Sequence, residues 1–130
     1  MEYAIKEAAE QVGLTAHTLR YYEQEGLLPC LKRDQHKNRI FDQSDIEWLQ
    51  FIRCLRDTGM PVAEMKHFAQ LTLQGDHTMR DRLQILQGHK HSIEQKMAEM
   101  NRFLGKITDK AAWYESLVKE KEMTVTAEKI

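Results

Sequence analysis

The sequence predicts a mainly helical chain, a small winged helix-turn-helix unit followed by one long helix. Three observations predict it. Two short amphipathic runs are separated by Gly13 and Thr15, a basic turn-rich stretch follows at about residues 30–42, and from Met79 onward apolar residues recur at alternating spacings of four and three. With 130 residues, 42% hydrophobic and 30% charged, the chain suits one small domain plus an extended element.

In the first run Ile5, Ala8, Ala9 and Val12 recur at i, i+3, i+4 and i+7, the period of one helix face, and Gly13 ends it. Leu14 follows as a core residue. Thr15 is a good N-cap for a second helix, which runs to Gly26. Two short helices joined by a turn containing Gly form a helix-turn-helix, here over about residues 4–26, whose second helix can enter the DNA major groove with its N-terminal side chains at base edges. Those side chains are Thr15, Ala16, His17 and Thr18, with Arg20, Tyr21 and Tyr22 one turn on.

Residues 30–42 read as a small hairpin. Leu31 to Arg33 and Arg39 to Phe41 form short strands, joined by Asp34-Gln35-His36-Lys37-Asn38, in which Asn38 tolerates positive φ. Lys32, Arg33, Lys37 and Arg39 crowd together against the single acid Asp34. A net charge of -1 is not that of a basic nucleic-acid binder, but what faces phosphates is a local surface. A basic hairpin beside a recognition helix makes a wing, and Arg33, Lys37, Asn38 and Arg39 are its candidate backbone contacts. The plainer reading of four cations in a turn is a solvated loop; the neighbouring helix-turn-helix argues for the wing.

Ser44 and Glu47 form a capping box, which starts a third helix over about residues 44–58 with Ile46, Leu49, Ile52 and Leu55 on one face and Trp48 and Phe51 widening it. Gly59 stops it. Pro61 is placed for the first turn of a fourth helix over about residues 61–73, with Val62, Met65, Phe68, Ala69 and Leu71 as its apolar set. The winged unit thus occupies about residues 1–75, Gly75-Asp76-His77 breaks the pattern, and Thr78 is the next N-cap.

The long helix follows over residues 78–118. Met79, Leu83, Leu86, Lys90, Ile93, Met97, Met100, Leu104, Ile107, Ala111, Tyr114 and Val118 form a heptad seam with one polar interruption at Lys90. A helix carrying such a stripe alone would expose it to water, and nothing else in the chain is long enough to cover it. The expected partner is a second copy, with Leu83, Leu86, Ile93, Met97, Met100, Leu104, Ile107, Ala111 and Tyr114 at the dimer interface. Residues 119–130 are charged and patternless and read as a flexible tail.

Thr18-Leu19-Arg20-Tyr21-Tyr22-Glu23, followed by Gly26-Leu27-Leu28-Pro29, resembles the signature of the MerR family of bacterial transcription regulators. Arg39-Ile40-Phe41 resembles the end of the family's wing, Asp45-Ile46 the opening of its next helix, and Leu55-Arg56-Asp57-Thr58-Gly59-Met60 its turn between the third and fourth helices. Asn38 stands where the family more often has Gly, and Phe41 where it usually has Tyr, so a phosphate contact through a hydroxyl does not carry over. The resemblance implies an antiparallel coiled-coil homodimer that binds an inverted repeat in double-stranded promoter DNA. It further implies that the dimer distorts this DNA so that RNA polymerase can use the promoter. It implies no cofactor.

The family's metal sensors carry cysteines at the start of the long helix and near its end, whereas this chain has none after Cys54, so no metal site is expected. His89 and His91 point to different sides of a helix and cannot share a metal as an i, i+4 pair would. Cys54, in Phe51-Ile52-Arg53-Cys54-Leu55-Arg56, resembles the sensor of a subgroup that responds to aldehydes, related electrophiles or thiol stress. A thiol flanked by Arg53 and Arg56 can have its pKa lowered, and an adduct formed in a close-packed helix core would displace its neighbours. The other reading makes Cys54 a small buried hydrophobe in a regulator with no cysteine sensing. Cys30, beside Pro29, is expected to be partly exposed and not the sensor.

No phosphate loop and no Ser/His/Asp arrangement on a plausible scaffold is present, so no enzyme is expected. No apolar run reaches transmembrane length and no leader is evident, which points to a cytoplasmic protein without a membrane partner. A coiled-coil adaptor whose winged unit binds protein is the remaining alternative, and the basic wing and Arg20 argue against it.

Overall fold

The computed structural model describes residues 1–129, with side chains described as far as Thr124. The elements are α1 (Ile5–Val12), α2 (Ala16–Gln24), β1 (Lys32–Arg33), β2 (Arg39–Ile40), α3 (Gln43–Asp57), α4 (Val62–Gln74), a short 3-10 turn (Asp76–Thr78) and α5 (Met79–Lys129). They fall into two compact units, Met1–His89 and Lys90 onward. The first extends beyond the expected boundary near residue 75 because Ile85 and Leu86, in the first turns of α5, pack against the core.

The apolar periodicity of α1 buries Ala8, Ala9 and Val12. The helix ends at Gly13, whose φ of 71° lets the Leu14 N–H turn back to the Ala9 carbonyl at 3.0 Å. Arg53 of α3 donates to the Val12 carbonyl, so a side chain from another helix caps the same end. The α3 set Ile46, Leu49, Ile52 and Leu55 is buried as the sequence predicts, and so are Met65, Phe68, Ala69 and Leu71 of the α4 set, while Val62 is half-buried against the core. Leu19, Tyr22, Leu27, Leu28, Phe41 and Met60 are buried with them. Trp48 lies over Phe68 with ring centroids 5.9 Å apart, and its indole N–H donates to the Leu27 carbonyl at 2.7 Å.

Several local expectations are corrected. The cap of α3 is Asp42, not Ser44: the Asp42 carboxylate accepts the Asp45 N–H at 2.9 Å, and the Asp45 carboxylate accepts the Asp42 N–H at 3.0 Å. A capping box of two aspartates satisfies both amides two residues earlier, and the Ser44 hydroxyl serves it by donating to Asp42 at 2.6 Å. The hairpin strands are shorter than predicted, with Lys32 opposite Ile40 and Arg33 opposite Arg39. Phe41 instead bridges to Tyr3 through hydrogen bonds of 2.7 and 2.9 Å, so the N-terminal residues add a third edge to the wing.

The left-handed residue of the wing loop is Lys37, at φ 64°, and not Asn38. The Asp34 carboxylate accepts the N–H groups of His36 and Asn38 at 2.8 and 2.9 Å, which fixes the reversal one residue early. Thr78 directly precedes α5 but does not cap it. Its buried hydroxyl lies 2.6 Å from the Leu71 carbonyl and 2.7 Å from that of Gly75, tying the 3-10 turn back to α4. Finally, α5 continues past Val118 to Lys129, over residues that the sequence reads as a tail; its hydrogen bonds are local and need no apolar stripe. The last residue of that expected tail, Ile130, lies outside the described residues.

Within the second unit, Met97, Met100, Leu104, Ile107, Tyr114 and Val118 are all exposed, each by more than half. Phe103, Trp113 and Leu117 are exposed beside them, a flanking apolar set that the heptad pattern does not reveal. No described helix is long and apolar enough to cross a membrane.

Candidate nucleic-acid interface

The α2 helix begins with the predicted cap, in which the Thr15 hydroxyl accepts the Thr18 N–H at 3.0 Å. Thr15 and Thr18 also bond hydroxyl to hydroxyl at 2.9 Å. Leu19 and Tyr22 are three apart and share the buried face, which leaves His17, Arg20 and Tyr21 exposed and Ala16 and Thr18 half-buried. Tyr22 is therefore corrected from a DNA contact to a core residue. At 2% exposure it reaches no groove, and its hydroxyl has no hydrogen-bond partner among the described residues. Burial pushes its phenol above the ordinary range, opposed by the Arg56 guanidinium.

Glu23, the last residue of the α2 motif, was not a predicted site residue and organises the wing. Its carboxylate accepts two hydrogen bonds from Arg33, at 2.9 and 3.1 Å, and one from Arg39 Nε at 2.6 Å. Arg33 also donates to the Lys37 carbonyl at 2.9 Å. Two of the four wing cations therefore hold the wing against α2, a role that sequence spacing cannot distinguish from phosphate contact. Lys32 is paired with Asp42 at 3.4 Å. Among the described residues Lys37 and Arg20 have no ion-pair partner, and Arg39 spends only its Nε on Glu23.

These groups meet. Arg20, Lys37, Asn38 and Arg39 line one cleft of about 590 Å3, together with Asp34 and the N-terminal residues Glu2 to Ile5. A cation from α2 and two from the wing thus face one open groove, in which the Asp34 carboxylate is occupied by backbone N–H groups. Phe41 is fully buried and has no hydroxyl, so it offers no hydrogen bond to a phosphate.

Cys54 is exposed, which corrects its expected place in a close-packed core. It lies on the outer side of α3 while Ile52 and Leu55 point inward. The flanking arginines are turned elsewhere: Arg53 to the Val12 carbonyl and Asp57, Arg56 to Asp57 at 3.0 and 3.1 Å. Their hydrogen bonds and charges, Arg56 foremost, hold the Asp57 carboxyl below its usual range. Cys30 is exposed as well, beside a small apolar recess of about 160 Å3 walled by Leu28, Phe41 and Trp48. His89 is not free on the surface; its Nε2 lies 2.8 Å from the Thr58 hydroxyl. No group of three or more potential metal ligands occurs among the described residues.

Residues 3–72 match the family described as MerR HTH family regulatory protein, and residues 46–109 match the description MerR, DNA binding. An uncharacterized HTH-type transcriptional regulator of Haemophilus influenzae is 39% identical over 88% of this chain and 85% of its own. Among solved structures, HiNmlR, a MerR family regulator lacking the sensor domain and bound to promoter DNA, superposes with a TM-score of 0.82 at 39% identity, covering 89% of this chain and 92% of that one. A putative MerR family transcriptional regulator from Listeria monocytogenes gives a TM-score of 0.88 at 27% identity over 98% and 99% of the two chains. With α2 and the wing lining one basic cleft and the family's descriptions spanning both, the chain belongs to the MerR family of helix-turn-helix, DNA-binding transcriptional regulators.

Proposed function

We propose that this protein acts as a homodimer that binds an inverted repeat in promoter DNA, activates transcription by distorting the duplex, and responds to aldehydes, other electrophiles or thiol stress through Cys54. The observation that carries the DNA reading is the shared cleft of Arg20, Lys37, Asn38 and Arg39. His17, Arg20 and Tyr21 supply the groove-facing side of α2, and Lys37 and Asn38 the backbone contacts of the wing. The promoter DNA in the HiNmlR complex supports the same target class for this chain. The exposed apolar seam of α5 supports a second copy as the element that covers it. Bending or untwisting a short site costs on the order of several kcal/mol, so a small change in how two winged units are held is enough to toggle a promoter for RNA polymerase.

The exposed thiol of Cys54 supports sensing by direct reaction, because a small electrophile reaches it without opening the core. A second reading, a MerR-type regulator with no cysteine sensing, is favoured by one observation: Arg53 and Arg56 are both committed to Asp57, so neither is aimed at the thiol. Alkylation of Cys54 against pH, in a Cys30→Ser background on the folded protein, decides between them. A thiolate titrating clearly below about 8.5 supports sensing, and a thiol that ionises only at or above that value supports the second reading.

A further inference from the structure

Thr58 follows Cys54 by four residues and caps the C-terminal end of α3, whose last residue is Asp57. The Thr58 N–H donates to the Cys54 carbonyl at 3.1 Å, and the Thr58 hydroxyl lies 2.7 Å from that same carbonyl and 3.2 Å from that of Leu55. A hydroxyl carries one proton. Given to the nearer carbonyl, it leaves the hydroxyl's lone pairs to accept from the His89 imidazole, whose Nε2 lies 2.8 Å away. A chain of three groups then runs from the main chain of the thiol-bearing residue, through Thr58, to α5. His89 is half-buried at the point where the first compact unit ends and α5 continues into the heptad seam.

We infer that His89 is a positioning residue whose hydrogen bond to Thr58 transmits the chemical state of Cys54 to α5. This rests on the reading of Cys54 as the reactive residue. Cys54 is exposed, so its adduct does not act by bursting the core; what it can disturb is the last turn of α3, where Thr58 satisfies the Cys54 carbonyl. A shift of that turn moves the hydroxyl, and the acceptor offered to His89 moves with it. Buried or half-buried polar groups left unpaired are costly, so α5 near His89 has to adjust.

The test is amide hydrogen exchange in residues 54–59 and 86–92 of the full chain carrying Cys30→Ser, before and after reaction of Cys54 with N-ethylmaleimide. In that reaction the thiolate sulfur bonds to one carbon of the ring double bond and the neighbouring carbon takes up a proton from water; nothing leaves and no oxidant is needed. Cys54→Met, a permanent thioether, is measured alongside. The expected result is that both the adduct and Cys54→Met speed exchange at residues 86–92 by roughly threefold or more, a local opening. Thr58→Val and His89→Ala should abolish that response, while Thr58→Ser and His89→Gln, which keep the hydroxyl and an N–H at the Nε2 position, should restore it. A change confined to residues 54–59, or a full response in both deletion variants, overturns the inference. If N-ethylmaleimide fails to modify folded Cys54, the sensing proposal is what fails, and Cys54→Met still tests the coupling.

Discussion

Tyr21 and Tyr22 are neighbours in the chain with opposite environments, and the difference follows from the helical period alone. Tyr22 shares a face with Leu19 and is buried; Tyr21, one step around, is 42% exposed. The sequence shows an aromatic pair, and only the direction of the α2 axis against the core says which ring is available. The Tyr22 hydroxyl is buried beside the Arg56 guanidinium, so Tyr22→Phe is expected to change stability by no more than about 1 kcal/mol in either direction, with duplex binding unchanged. Chemical denaturation checks the first part and a binding titration the second; a large loss of affinity would return Tyr22 to the interface.

Gly13 shows the reverse case, a residue whose importance is legible in sequence for one reason and in structure for two. Its positive φ ends α1, and a Cβ there would meet the Arg53 guanidinium, which caps the Val12 carbonyl. Gly13→Ala should cost about 1–3 kcal/mol, seen as a lowered midpoint in thermal or urea unfolding.

At the level of elements, the helices were legible because their apolar positions repeat with a regular period, and the core faces of α1, α3 and α4 are those that the pattern picks out. The wing was legible as a place but not as a set of partners. Arg33 and Arg39 look like phosphate contacts by composition, and Glu23, distant from them in sequence, claims both. Glu23→Gln should weaken duplex binding several-fold even though it makes the protein more positive, because a released wing has to be ordered on binding. Tighter binding would mean that Glu23 merely neutralises the wing.

The α3 cap gives a pH-dependent counterpart. The Ser44 hydroxyl, then the Asp45 N–H, hold the Asp42 carboxyl far below its ordinary range, whereas burial, ahead of its other causes, raises that of Asp45. A depressed carboxyl contributes stability above its unfolded pKa and loses it as the pH falls through the folded value. The stability advantage of the natural protein over Asp42→Ala should therefore be present at pH 7 and shrink as the pH drops below about 4. Unfolding curves at several pH values check it, and a gap that widens on acidification would contradict the assignment.

For the whole molecule, the question is what covers α5. Its exposed seam and the flanking Phe103, Trp113 and Leu117 make an apolar surface along the described part of the second unit, with Lys110 over the Trp113 ring at 5.0 Å. Large contiguous apolar patches mark interaction sites. The heptad period shows this in the sequence, but a period in one chain does not name its partner, and that is why the dimer is proposed. Leu104→Glu places a charge in the seam where a Leu contributes about 1.5–3 kcal/mol per copy, and should give monomers at micromolar concentration by sedimentation velocity. An unchanged dimer would show that another surface holds the copies together.

The central claim, that α2 and the wing read DNA through one cleft, is tested most directly by fluorescence anisotropy with a duplex that the natural protein selects from a random-sequence pool, comparing the natural protein with Arg20→Ala at several salt concentrations. The predicted result is binding by the natural protein that weakens steeply with salt, and a loss of about 1–3 kcal/mol per replaced contact in Arg20→Ala with circular dichroism and sedimentation unchanged. Equal affinity of the two proteins, or binding indifferent to salt, would contradict it.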